Sequence, residues 1–213
     1  MLKIAVMVSG HGRGSNLQAI LDACRSGTVD GEVAVVVGTR SDAPALERAR
    51  AAGVHTVVIS PRKYEGDPEG YQAALLRVLD KYRVGLICLA GYMLKLPQGV
   101  VDRFRNRIMN VHPALLPFFG GQGMYGENVH RAVLESGMKV SGATVHLVDE
   151  HYDHGPIIVQ TAVPIEENDT PETLAARVLP LEHRLYVEAI SLFAQNRLEV
   201  EGRRVRVRDA ATR

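Results

Sequence analysis

Leu2 to Val8 is a short, nearly unbroken apolar run, and it stops at Ser9-Gly10-His11-Gly12-Arg13-Gly14-Ser15. Beyond that loop Leu17, Ile20, Leu21 and Cys24 recur at steps of three and four, the spacing of one buried helix face. The pattern then repeats. Val33 to Val37 reads as a strand buried on both faces, Ala43 to Ala52 as a helix and His55 to Ile59 as a third strand. A polar loop, Pro61 to Pro68, leads to a helix over Tyr71 to Tyr82 and a fourth strand over Val84 to Leu89. Strands that alternate with helices at this spacing run parallel, joined by right-handed crossovers. Ile108 to His112 is a further strand, closed by Pro113, which has no N–H to offer a ladder. The remainder predicts a helix from Asn128 to Ser136, strands Ser141 to Asp149 and Ile157 to Val163, and a helix from Pro171 to Gln195. Thr170 is its N-cap, Pro171 its first residue, and Pro180 a candidate kink. Leu198 to Val207 reads as a terminal hairpin around Glu201-Gly202, with Arg204, Arg206 and Arg208 on its wet face.

These elements predict an α/β fold: an open, mainly parallel, Rossmann-like twisted sheet with flanking helices, becoming mixed in its C-terminal half. The chain has 213 residues, enough to bury a full core as one domain, 1–213. Its halves divide the work, with 1–109 expected to hold a nucleotide phosphate and 110–213 to carry catalysis. Lys plus Arg is 25 against Asp plus Glu 24, a net charge of +1, which gives no general attraction to nucleic acid or an anionic membrane. The apolar run Ile4 to Val8 is far shorter than a membrane span, so a cytoplasmic protein acting on small molecules is expected. The two cysteines, Cys24 and Cys88, read as packed, reduced thiols.

Candidate chemistry concentrates at Asn110-Val111-His112-Pro113-Ala114-Leu115-Leu116-Pro117. Side chains alternate along a strand, so Asn110 and His112 share one face, at a sheet end where open α/β folds keep their ligands. An amide N–H and an imidazole suit acyl-type transfer: the first can meet a developing oxyanion, and a protonated imidazole can also supply the proton a departing nitrogen needs. A capped strand with a buried, satisfied histidine is the alternative. The loop Ser9 to Ser15 lets backbone N–H groups approach an anion at the positive end of a helix. Its glycine spacing does not fit a dinucleotide fingerprint. Ala90 to Pro97 leaves the fourth strand at its C-terminal end, where Met93, Leu94 and Leu96 are either core or a slot for a flat ring. Phe118 to Gly126 holds four glycines in a stretch suited to a mobile cover. His146, His151, Asp153 and His154 are close enough in sequence to be weighed as metal ligands, although side chains in so tight a turn diverge.

Asn-x-His-Pro-x-Leu-Leu-Pro, followed by Asp153-His154-Gly155-Pro156, resembles the family of formyltransferases that use 10-formyltetrahydrofolate. Gly14-Ser15-Asn16-Leu17 and Glu182-His183 narrow the resemblance to the branch that formylates glycinamide ribonucleotide in purine synthesis. It implies a catalytic trio of Asn110, His112 and Asp153, with Asp153 raising the His112 pKa. It also implies phosphate binding by Gly14, Ser15 and Asn16, and ribose binding by Glu182. The folate would be held by Met93, Leu94, Lys95, Leu96, Asn110, Asp149, Glu150, His151 and Tyr152. The co-substrate is 10-formyltetrahydrofolate, and no metal, nucleic acid or membrane is implied. A homodimer is left open. Arg62 and Lys63 are candidates to meet a folate glutamate tail, although their loop matches the family poorly. Lys95 and the long segment Phe118 to Gly126 also depart from the common pattern. Relatives that formylate initiator tRNA or hydrolyse formyltetrahydrofolate carry an extra domain, which this length disfavours. A non-catalytic folate- or phosphate-binding module is the remaining rival.

Overall fold

The computed structural model describes residues 1–10 and 12–209; His11, in the glycine loop, lies outside the described residues. The chain forms two compact units, Met1–Met109 and Asn110–Arg213.

In the first unit β1 (Leu2–Val8), α1 (Ser15–Arg25), β2 (Gly31–Gly38), α2 (Pro44–Ala51), β3 (Thr56–Val58), α3 (Pro68–Lys81), β4 (Leu86–Leu89) and α4 (Gln98–Arg103) follow in order. The strands lie β3-β2-β1-β4 and pair in parallel throughout, as the alternation predicts. Ile4 to Val8, Val35 to Val37 and Leu86 to Leu89 are buried, along with Leu17 and Ile20 of α1, Leu46 of α2, and Leu75 and Leu79 of α3. The continuous apolar strands therefore mark a sheet covered on both faces.

Three local features differ from expectation. Pro61–Tyr64, read as polar loop, is a turn of 3-10 helix. The next helix begins three residues earlier than its apolar pattern, because Asp67 caps it by accepting from the Gly70 N–H at 2.8 Å and Pro68 takes the first position. The six-residue α4 is too short to register as periodicity, yet it buries Val100 and Val101.

β5 (Ile108–His112) closes the first unit and opens the second, where the strand order is β5-β6-β7-β9-β8. Here β6 (Val140–Leu147) and β7 (Ile157–Pro164) are antiparallel, β7 pairs β9 (Arg204–Val207) in parallel, and β8 (Leu198–Glu201) pairs β9 antiparallel, so the sheet is mixed as expected. α5 (Glu127–Glu135) and α6 (Pro171–Ala194) complete the unit, with Leu174, Val178, Leu185, Tyr186 and Ile190 of α6 buried. Thr170 caps α6 by accepting from the Thr173 N–H, and Pro180 lies within the helix. Arg206 and Arg208 on the hairpin pair with Glu201 and Glu199, which keeps that face wet and charge-balanced.

Candidate active site

β5 places Asn110 and His112 on one face, and the loop after β6 returns Asp153 to them. Asn110 Nδ2 donates to Asp153 Oδ1 at 3.3 Å, and Asp153 Oδ2 stands 3.7 Å from His112 Nδ1. The 41 residues between His112 and Asp153 are thus closed by the fold into one constellation. His112 is 2% exposed.

Gly155 makes this approach possible. A Cβ at that position would fall 1.9 Å from the Leu147 carbonyl oxygen, so only glycine lets the loop turn so tightly. Asp153 itself has φ 51, a left-handed conformation that aspartate tolerates better than most residues. Asp149 holds the rest of the loop, accepting from the His151 N–H at 2.8 Å and from His154 Nδ1 at 2.7 Å. Its carboxylate, expected to serve the folate, is therefore already bound to loop atoms. Burial raises its pKa, but the bonds from His154 and His151 outweigh burial and hold it below the usual range.

A fourth group belongs here that the sequence reading weighed only as a metal ligand. His146 Nδ1 lies 2.8 Å from the Leu147 carbonyl oxygen, which can only accept, so that nitrogen carries the proton. Its Nε2 then faces inward, 3.2 Å from Asn110 Nδ2 and 3.6 Å from Asp153 Oδ1. Period-two alternation along β6 could have placed it beside Thr144 on one face, but the buried strand gives no polar contrast to mark which face matters. Among the described residues no group of three or more His, Cys, Asp or Glu is arranged to hold a metal ion.

Beneath the trio, Thr144 fixes the turn after His112. Its hydroxyl donates to the Ala114 carbonyl at 2.6 Å and accepts from the Leu116 N–H at 3.1 Å and Gln160 Nε2 at 2.7 Å. Thr144 is fully buried, so these bonds are protected from water.

The electrostatics correct one expectation. Asp153 does raise the His112 pKa, and so does the Phe119 carbonyl, but burial is the larger effect, His146 adds to it, and the imidazole ends below its ordinary value. Burial also raises the Asp153 carboxyl, yet His146, His112 and the Gly121 N–H together hold it below the usual carboxylate range. The resting pair is a carboxylate beside a neutral imidazole, poised to accept one proton. His130 of α5 is 3% exposed, its Nδ1 has no hydrogen-bond partner among the described residues, and burial together with the charge of His112 lowers its pKa.

In the first unit the glycine loop follows β1. Gly14 caps α1 with φ 74 and packs against α2, where a Cβ would lie 3.0 Å from Ala45. Arg48 secures the loop, its Nε and Nη2 donating to the Arg13 carbonyl at 3.3 and 3.2 Å. The segment after β4 is tied to the same loop by Ser9, which donates to the Gly91 carbonyl at 2.7 Å and accepts from the Met93 N–H at 3.0 Å. Leu96 is buried there, while Met93, Leu94 and Lys95 are exposed. In the second unit Glu182 is half-buried on α6.

An open α/β fold that gathers an amide, two imidazoles and a carboxylate at the end of β5 offers the groups that a group transfer through proton movement and oxyanion stabilisation would call on. The formyl transferase family matches residues 2–190. The chain is 46% identical over 197 residues to the chloroplastic phosphoribosylglycinamide formyltransferase of Arabidopsis thaliana, covering 92% of this chain and 67% of that protein. It is 38% identical over 199 residues to phosphoribosylglycinamide formyltransferase of Escherichia coli, covering 93% and 90%. Among solved structures, glycinamide ribonucleotide transformylase 1 of Symbiobacterium toebii matches at a TM-score of 0.91 and 51% identity, over 98% of this chain and 95% of that one. The chain belongs to the formyl transferase family. No helix among the described residues is long and apolar enough to cross a membrane.

Proposed function

We propose that the protein transfers the formyl group of 10-formyltetrahydrofolate to the amine of glycinamide ribonucleotide, giving the formylated nucleotide and tetrahydrofolate, a step of purine synthesis. The observation that carries this reading is the position of Asp153 against both Asn110 and His112. That constellation is what direct formyl transfer requires, with one group to bind an oxyanion and an acid–base pair to relay a proton.

The amine attacks the formyl carbon directly, forming the new N–C bond while the carbonyl electrons move to oxygen. Asn110, whose Nδ2 is committed to His146 and Asp153 in the resting site, turns one N–H toward that oxyanion. The longer bond, 3.3 Å to Asp153, is the one it gives up more readily. The proton on the attacking nitrogen passes to the His112–Asp153 pair and then to the departing folate nitrogen as its C–N bond breaks. No covalent enzyme intermediate and no metal enter the scheme. Gly14, Ser15 and Asn16 take the nucleotide phosphate and Glu182 the ribose hydroxyls. Asn110, residues 93–96 and the loop from Asp149 to Tyr152 receive the folate. Halves 1–109 and 110–213 of a single domain divide this work. Cys24, pushed up to about 11 chiefly by burial, and the buried Cys88 suit a reducing compartment such as the cytoplasm.

The test is spectrophotometric: purified protein, glycinamide ribonucleotide and 10-formyltetrahydrofolate, following loss of the formyl donor. Turnover that needs both substrates is expected. Tight binding of both without turnover would instead make the chain a binding module.

A further inference from the structure

Phe118 to Gly126 follows the turn after β5, and its first residues touch both His112 and Asp153. The Phe119 carbonyl oxygen lies 2.8 Å from His112 Nε2, and the Gly121 N–H donates to Asp153 Oδ2 at 2.9 Å. We propose that Phe119–Gly121 is a positioning element of the active site. It holds the His112 proton on Nε2 and leaves Nδ1, the atom facing Asp153, as the one that exchanges a proton with the substrates. The proposal rests on the formyl-transfer reading above for the identity of those substrates.

The argument is one of hydrogen-bond valence. A carbonyl oxygen only accepts, so at 2.8 Å the Nε2 of His112 must be the donor, whether the ring is neutral or charged. A neutral imidazole then has its lone pair on Nδ1. That atom is 3.7 Å from Asp153 Oδ2, beyond hydrogen-bond range, so no acceptor among the described residues claims its position. His146 is arranged in the same sense, with Nδ1–H on the Leu147 carbonyl and Nε2 turned inward. The inward lone pair of His146 accepts from Asn110 Nδ2 at 3.2 Å, and that of His112 Nδ1 stands beside the Asp153 carboxylate. In the reaction the amine nitrogen, made acidic by attack on the formyl carbon, gives its proton to His112 Nδ1. The same proton leaves Nδ1 for the folate nitrogen as that nitrogen departs. His146, Asp153 and His130 are the titratable groups that act on His112 during this exchange.

Backbone geometry makes the element specific to its residues. Phe119 has φ 57 and Gly121 φ 107, so the carbonyl and the N–H are presented by a left-handed turn. Gly120 sits between them, and a Cβ there would lie 2.7 Å from Leu116 Cδ2 and 2.9 Å from Asp153 Cβ. Any side chain at 120 drives the turn and Asp153 apart and shifts both contacts together.

Two measurements test this. In protein labelled with ¹⁵N at histidine, the His112 ring, assigned by comparison with His112→Gln, should show its proton on Nε2 at a pH where the ring is neutral. A proton on Nδ1 would overturn the proposal, whatever the activity. Gly120→Ala should lower kcat about 10–100-fold, since displacements near 1 Å cost about that much, with both KM values nearly unchanged and mixed His112 tautomers. Gly123→Ala is the control, because its φ of 86 puts backbone strain into the same loop while its Cβ meets nothing within 4 Å. Equal losses in the two variants would reduce the effect to general loop strain and sink the positioning role. If wild-type protein transfers no formyl group yet shows the Nε2 proton, the functional reading fails and the tautomer assignment stands.

Discussion

Replacing Asp153 with asparagine isolates charge from shape. The amide keeps an oxygen for the Gly121 N–H, so the turn has no steric reason to move. The charge it removes stands 3.7 Å from His112 Nδ1 and 3.6 Å from His146 Nε2, with side-chain exposures of 11%, 3% and 2% for Asp153, His112 and His146. At an effective dielectric constant of 20, opposite unit charges 4 Å apart attract by about 4 kcal/mol, an upper bound of roughly three pKa units on what His112 can lose. Asp153 raises the His112 pKa and burial lowers it, so Asp153→Asn leaves burial unopposed and pushes the ring further down. The relay starts from neutral His112, which takes the amine proton, so the rate falls as pH drops through that pKa. In the variant this fall begins at lower pH and the deficit is greatest on the alkaline side. Loss of acid–base help predicts a drop of about 10²–10⁴ in kcat near neutral pH. The assay is kcat and kcat/KM from pH 5.5 to 9, with thermal melts to show that the variant is folded. Because Asn110 donates to the same carboxylate, the double variant Asn110→Ala/Asp153→Asn should lose much less than the product of the single losses. Normal turnover in folded Asp153→Asn, a deficit independent of pH, or strict additivity with Asn110→Ala would each refute the assignment.

Gly14→Val places a β-branched side chain at φ 74 and 3.0 Å from Ala45, and should raise the nucleotide KM far more than the folate KM; equal losses would remove the phosphate assignment. Glu182→Ala should cost about 1.5–3 kcal/mol of nucleotide binding, the usual worth of a hydrogen bond to a charged group, seen as roughly a ten- to hundredfold rise in nucleotide KM; an unchanged KM would return Glu182 to a solvated role. His112, His130 and His183 all have folded pKa values below their ordinary 6.5, each chiefly through burial. Below about pH 6.5 the unfolded chain therefore binds more protons than the folded one, and stability must fall as pH drops. The melting temperature should be level above pH 7.5, decline toward pH 5.5, and decline less in His130→Gln, whereas a flat profile in the wild type would contradict the burial of these rings.

Much of the molecule was legible from local pattern. Continuous apolar runs at Ile4 to Val8 and Leu86 to Leu89 announced strands covered on both faces, because only a doubly covered strand can afford no polar positions. The pair Asn110 and His112 followed from strand periodicity and the stop at Pro113. The start of α6 was read from Thr170-Pro171-Glu172, and the same kind of signature, Asp67-Pro68-Glu69, was passed over at α3 because it lay inside a polar, glycine-bearing stretch.

What the tertiary structure alone decided is which distant groups meet and in what protonation state. His146 and Thr144 lie on a strand whose every position past Val140 is buried, so periodicity could not separate positions beside the site from packing positions. The Phe119 and Gly121 contacts are made by backbone atoms, which carry no residue-specific signal in a sequence. The sign of the His112 shift depended on weighing a carboxylate at 3.7 Å against the loss of water around the ring. The motif supplied the first and only the packing supplied the second. Sequence determined the residue types at the site, since chemistry is local to a side chain; distance, burial and tautomer are properties of the folded neighbourhood and had to come from it.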